Sequence, residues 1–210
     1  MNPKNHKDKI VKAAEDLLYR RGYHATSIGA IARAAGVPKG SLYNHFKGKS
    51  DLAAHLMDRF ADRAISQLED RLGSKDLSPS RLVQNLLNGY LRAYRRNGYR
   101  YGCSLGSRLN EVADTDRQLS KRISSHLESW ASLLEDRFKR WASRHGRRDL
   151  ERAAPGLART VQATIQGALL QMKGSRNAAP LKGARDTLKL LLEGLERGSS
   201  IGPRRRRVRA

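Results

Sequence analysis

A single cysteine, Cys103, stands among 210 residues, so the chain can form no internal disulfide and no Cys-x-x-C metal or redox pair. Aromatic residues make up 6% of it and proline only six positions, which leaves long segments without a breaker. No run of about eighteen apolar residues occurs, and Met1-Asn2-Pro3-Lys4 leads into a charged segment rather than an apolar signal core. The expectation is a cytoplasmic protein with no membrane partner. Acids are in short supply too, with 20 Asp and Glu against 42 Lys and Arg and a formal charge of +22. Solubility requires no such excess, and it points to a polyanion, nucleic acid first. A basic surface also suits an anionic membrane or RNA, so charge must be joined to a motif.

Almost every segment repeats its apolar residues with the 3.6-residue period of a helix, and no convincing alternating strand pattern appears. The fold class predicted is all-α, with about nine helices. Ile10, Ala13, Ala14, Leu17 and Leu18 form the stripe of a first helix that stops at Gly22. Thr26 and Ser27 are capping types for a second helix through Ala34, Gly36 supplies a tight turn, and a third short helix runs from Pro38 to about Phe46. Ser50 is expected to cap a longer helix in which Leu52, Leu56, Phe60, Ala64 and Leu68 recur at every fourth position until Gly73. Ser78-Pro79 opens a helix to Asn97-Gly98, a short helix covers Ser104 to Ala113, and a long one follows Asp114-Thr115-Asp116 to near Gly146. The last two are placed at about Asp149 to Lys173 and Pro180 to Arg197, ahead of the Arg-rich tail Pro203-Arg204-Arg205-Arg206-Arg207-Val208-Arg209.

Helix, cap, short helix, glycine turn and short helix is the order of a helix-turn-helix, whose last helix enters the major groove. Ile28, Ile31, Ala32, Val37 and Leu42 supply a small core that sets the two helices at an angle. The third helix then turns Lys39, Gly40, Ser41, Tyr43, Asn44 and His45 outward, toward phosphate and base edges, with Lys47 and Lys49 beside the next helix start. Phe46 reads as core, whereas Tyr43 has a phenol suited to phosphate.

These residues resemble the DNA-binding domain of the TetR (tetracycline-repressor) family. The resemblance lies in Gly22-Tyr23-His24-Ala25-Thr26-Ser27-Ile28, Ile31-Ala32, Ala35-Gly36-Val37 and Gly40 through Lys49. It implies a recognition helix carrying Lys39, Gly40, Ser41, Tyr43, Asn44 and His45, and phosphate contacts at Ser27 and Lys49. Gly29 stands where some members have a polar or basic base-contacting residue. It also implies two parts, residues 1–50 for DNA and 51–200 for effector binding and dimerisation; the Arg-rich composition of residues 201–210 reads as a disordered basic tail. The partners implied are double-stranded operator DNA, a small-molecule effector and a second copy of the chain.

In the larger part, Gln166-Gly167-Ala168-Leu169-Leu170 and the stripe Leu188, Leu191, Leu192 and Leu195 are compatible with a homodimer interface on the last two helices. The alternative is that both stripes belong to the monomer core. Gly102-Cys103-Ser104-Leu105-Gly106 resembles a Gly-Cys-x-x-Gly segment of a TetR subgroup that includes electrophile sensors. Arg100 and Arg108 nearby would depress the Cys103 pKa and favour a reactive thiolate; against that, a lone cysteine commonly packs as a small hydrophobe, the reading preferred here. Tyr101, Cys103, Leu105, Trp130, Leu134, Phe138, Gln162 and Gln166 are the candidate effector-pocket residues, a mixture of aromatic wall and polar group. His126 and His145 lack partners at metal spacing, and Asp51 with His55 reads as an isolated pair facing water.

No nucleophile with a positioned base, paired carboxylates, phosphate-cradling loop or metal cluster stands at recognisable spacing, so neither catalysis nor a metal or cofactor is expected. A non-specific basic protein that compacts DNA or RNA would explain the charge equally well. A capped reading head and about 140 further helical residues, which compaction does not need, favour a regulator.

Overall fold

The computed structural model describes residues 3–72, 77–96, 98–100 and 102–198. Gly73, Tyr101 and the Arg-rich tail, all singled out in the sequence, lie outside these. The described residues form nine helices: α1 (Pro3–Arg21), α2 (Ile28–Ala35), α3 (Lys39–Tyr43), α4 (Lys49–Leu72), α5 (Pro79–Arg95), α6 (Ser104–Val112), α7 (Arg117–Arg144), α8 (Arg148–Ser175) and α9 (Ala179–Glu196). The all-α reading holds. Contacts group Met1–Glu69 with Tyr101–Trp130 in one compact unit, and Asp70–Arg100 with Ala131–Ala210 in another. Packing therefore draws its lines inside α4 and α7, whereas the division at residues 50 and 200 was one of expected function.

The first unit is built on the predicted stripes. Ile10, Ala14 and Leu18 of α1, Ile31 and Ala32 of α2, Leu42 of α3, and Leu52, Leu56 and Met57 of α4 share one buried cluster with Leu105 and Val112 of α6 and Leu119 and Ile123 of α7. Burying a side chain of this size contributes about 1.5–3 kcal/mol. Gly22 ends α1 at φ 88°, a conformation that costs an ordinary residue about 1–2 kcal/mol.

The start of α4 differs from expectation. α4 begins at Lys49, ahead of the Ser50 expected to cap it. Its start is secured by Asp51, whose Oδ2 accepts the Lys47 N–H at 2.9 Å, so a carboxylate in the first turn reaches back as in a capping box. Ser50 instead hydrogen-bonds Asp116. The Asp51–His55 pair is corrected in consequence: Asp51 is occupied, and the half-buried His55 ring packs 5.6 Å from that of Phe46.

In the second unit, α5 and α8 both pack on α9. Leu82, Val83, Leu86 and Leu87 of α5, Leu134 and Phe138 of α7, Val161, Ile165, Leu169 and Met172 of α8, and Leu181, Leu188 and Leu192 of α9 are buried. Leu188 and Leu192 thus belong to the core. Among the described residues the exposed leucines are Leu170, Leu190 and Leu191, at 62%, 67% and 50%. Polar groups close the helix ends. Glu196 accepts the Ser80 N–H at 2.6 Å and its hydroxyl at 2.9 Å, joining the start of α5 to the end of α9. Arg147 donates to the carbonyls of Leu195 and Glu196 at 2.8 and 2.7 Å, covering orphan acceptors of the last turn.

Candidate nucleic-acid interface

The two short helices are held by their own sequence. Ser27 adopts extended backbone at φ −97°, ψ 154° and accepts the Ala30 N–H at 3.1 Å, capping α2. One of its two lone pairs is used, and its O–H is left to donate from an exposed position. Thr26, the other capping type, is 1% exposed and instead donates its hydroxyl to Gly22 O at 2.8 Å. Gly36 sits in the left-handed region at φ 65°, ψ 35°, and Val37 N–H returns to Ala32 O at 3.1 Å. This closes α2 as helices ending in αL glycine do. Val37 and Leu42 then bury themselves with Ile31 and Ala32, fixing α3 against α2.

α3 stops at Tyr43 rather than running to Phe46. Asn44 is its C-cap and His45 lies in the following turn, so these two candidates flank the helix end instead of sitting within it. Phe46, at 4% exposure, is core as expected, whereas Tyr43 is 51% exposed. Lys39, Gly40, Asn44 and Lys47 are exposed; Ser41, His45 and Lys49 are half-buried. Lys49 turns inward. Its Nζ donates to Tyr23 O at 3.1 Å and lies 4.3 Å from the Tyr23 ring centroid, so one of its three donors already ties α4 to the α1–α2 loop. A cleft of about 400 Å³, lined in part by Lys47, Ser50, Gln118 and Arg122, opens beside this region.

The α1–α2 loop is braced by α6. Glu111 accepts the Tyr23 backbone N–H and pairs with Arg108, a guanidinium only 6% exposed. His24 Nε2 donates to Glu111 O at 2.6 Å, and Tyr23 O–H donates to Asp116 at 3.2 Å. Burial, reinforced by Asp116, pushes the Tyr23 phenol above its usual value. For Asp116, burial pushes the carboxyl up, but the hydrogen bonds from Ser50, Leu119 N–H, Tyr23 and Gln118 N–H together hold it below its usual value. Further along the same unit, Asp58 takes a two-pronged contact from Arg122 at 2.7 and 2.6 Å and a third donor from His126 at 2.8 Å.

A family model described as "Bacterial regulatory proteins, tetR family" matches residues 10–56, the span that contains this helix-turn-helix. A second, described as "Transcriptional regulator LmrA/YxaF-like, C-terminal domain", matches residues 79–187, more than half of the chain. The chain belongs to the TetR family of transcriptional regulators. It is 26% identical over 203 residues to the HTH-type transcriptional regulator in the lacX 3′ region of Lactococcus lactis subsp. lactis, covering 91% of this chain and 95% of that one. It is 28% identical over 173 residues to the HTH-type transcriptional repressor DhaR of Mycobacterium sp. (strain GP1), covering 82% and 84%. Regulatory protein TetR from Rhodobacter sphaeroides has the same fold, with a TM-score of 0.77 at 23% identity over 88% of this chain and 97% of that one.

As a TetR-family member the chain is a DNA-binding regulatory protein. The effector-pocket candidates separate into two groups. Cys103 and Leu105 pack on the core of the first unit and Trp130, at 7% exposure, ends that unit. Leu134 and Phe138 are buried in the second, where Gln162 and Gln166 are half-buried; Tyr101 is outside the described residues. A cleft of about 620 Å³ in the second unit involves none of them and is lined by Ser78, Ser80, Arg81, Gln84, Trp141 and charged residues of α9. Cys103 is the N-cap of α6, its Sγ accepting the Gly106 N–H at 3.4 Å. Burial pushes its thiol up despite the Gly106 and Leu105 N–H groups, opposite to the depression that the alternative, a reactive thiolate, requires; Arg108 is turned to Glu111. Sequence spacing missed His6, whose Nδ1 lies 3.0 Å from Ser41 Oγ, because nothing local marks a contact across 35 positions. Among the described residues no group of three or more His, Cys, Asp or Glu could hold a metal ion, and no helix is long and apolar enough to cross a membrane.

Proposed function

We propose that the chain is a repressor that binds a palindromic operator as a homodimer and lets go when a small-molecule effector occupies its larger helical part. The observation that carries this reading is the capped α2, αL turn and braced α3, which hold Lys39, Gly40, Tyr43 and Asn44 on an exposed face. Tyr43, Lys39 and Lys47 would meet phosphate together with the Ser27 hydroxyl, while Ser41, Asn44 and His45 reach toward base edges. Lys49 adds to the phosphate contacts only with the donors it does not give to Tyr23. One copy of a reading head sees one half-site, so a second copy is required for a palindrome. Exposed Leu170 on α8 with Leu190 and Leu191 on α9 supports an interface on the last two helices. The sense of action follows DhaR, which is named a repressor. An effector that binds one conformation better than another then shifts operator affinity by that difference.

Selection of bound duplexes from a random library at about 150 mM salt tests the reading, since specific sites outcompete others by roughly 10³ or more. A recovered inverted repeat is the expected result. Binding that is equal for all duplexes, and lost equally as salt rises to about 200 mM, would replace the regulator by the non-specific DNA- or RNA-compacting protein.

A further inference from the structure

His6 and Lys7, near the start of α1, reach the recognition region. His6 Nδ1 is 3.0 Å from Ser41 Oγ on α3, and the next residue, Lys7, places its Nζ 5.8 Å from the ring centroid of Phe46. Both His6 and Ser41 are half-buried, so the hydrogen bond is partly shielded from competing water. We propose that His6 is a specificity-determining positioning residue: from outside the helix-turn-helix it fixes what the Ser41 hydroxyl offers to DNA. This rests on α3 being the recognition helix.

A serine hydroxyl is a rotor with one donor and two acceptor sites. Left unrestrained it meets donors and acceptors alike and separates bases poorly. The imidazole removes that freedom. When Nδ1 accepts the hydroxyl proton, Ser41 presents lone pairs only, suited to the amino groups of adenine and cytosine in the major groove. When Nδ1 donates, the Ser41 proton is turned outward, suited to guanine O6 or N7, thymine O4 or a phosphate oxygen. In either case the rotor is ordered before DNA arrives, so less freedom is lost on binding. The bases enriched opposite Ser41 report which state operates.

The test uses the full chain and the duplex that the wild type selects from a random library. Affinity for that duplex is divided by affinity for a scrambled one, at about 150 mM salt, for the wild type and for His6→Phe, His6→Ala, His6→Gln, Ser41→Ala and the His6→Phe/Ser41→Ala double variant. The expected result is a roughly three- to ten-fold fall in this ratio for His6→Phe and His6→Ala, the size of one net hydrogen bond, with scrambled-duplex affinity and helicity unchanged. Ser41→Ala falls by a similar factor, the double variant falls no further than either single one, and His6→Gln, which keeps a donor and an acceptor, recovers part of the loss. An unchanged ratio in both His6→Phe and His6→Ala overturns the proposal. So do losses that multiply in the double variant, because His6 would then act without Ser41. A wild type with no preferred duplex overturns the recognition reading itself, a failure visible before any variant is compared.

Discussion

Removing the Glu111 carboxylate exposes how much the reading head depends on α6. In Glu111→Ala the Tyr23 backbone N–H loses its acceptor and the Arg108 guanidinium, 6% exposed, loses its counter-charge. The backbone carbonyl of residue 111 still receives His24. An unpaired buried ion costs about 3–5 kcal/mol and an unsatisfied N–H about 1–3. Water reaches this carboxylate, whose side chain is 28% exposed, and can replace part of what is lost, so the expected total is about 2–4 kcal/mol. At a urea slope of about 2 kcal/mol per molar, the unfolding midpoint followed by circular dichroism falls by about 1–2 M. Arg108→Leu with Glu111→Leu removes the ion as well as its partner and should recover roughly half of that loss. A midpoint within about 0.2 M of the wild type for Glu111→Ala, or a double variant weaker than the single one by more than about 1 kcal/mol, would refute the brace as drawn.

Other consequences follow from the same geometry. Burial, with Lys7 and Arg59, holds the His55 imidazole below its ordinary 6.5, against the smaller opposite pull of Asp58 and Asp51. Just below that pH the unfolded chain takes up a proton that the folded chain refuses, so stability declines as pH falls through the window. His55→Gln should flatten this part of the pH–stability curve, and an identical slope in both proteins would contradict it. Ser27→Ala removes the α2 cap and should cost about 1 kcal/mol, read as a lowered urea midpoint alongside weaker operator binding. Leu170→Glu with Leu190→Glu should give a folded monomer by light scattering; a persistent dimer would move the interface to another face. Cys103, a thiol pushed up by burial, should react with a thiol reagent at pH 7 far more slowly in the native chain than in urea. Equal rates would revive the electrophile-sensor reading.

Local signals make the reading head legible in the sequence. Ser27 and Gly36 act through their own backbone and immediate neighbours, so their roles could be seen in a few residues. Long-range partners could not. Ser50 and Asp51 are both plausible at a helix start; Asp116, just ahead of α7, takes the Ser50 hydroxyl, and Asp51 is left to reach back to Lys47. Glu111 meets Tyr23 across 88 positions, a contact that no helical period encodes. α9 shows a third kind of limit: leucines at 188, 190, 191, 192 and 195 surround much of the helix, so the pattern did not say which of them would face α5 and α8. The structure buries Leu188 and Leu192 and leaves Leu190 and Leu191 outside.

The central claim is that two recognition helices of one dimer read two half-sites in successive major grooves. The measurement that meets it most directly is affinity for the selected operator as base pairs are inserted at its centre. With reading heads one helical turn apart, roughly 34–36 Å, five added base pairs turn the second half-site to the far side of the duplex. Affinity should then fall to that of an isolated half-site. Affinity unchanged by the insertion would contradict the account, because heads that tolerate any spacing are not held by one dimer.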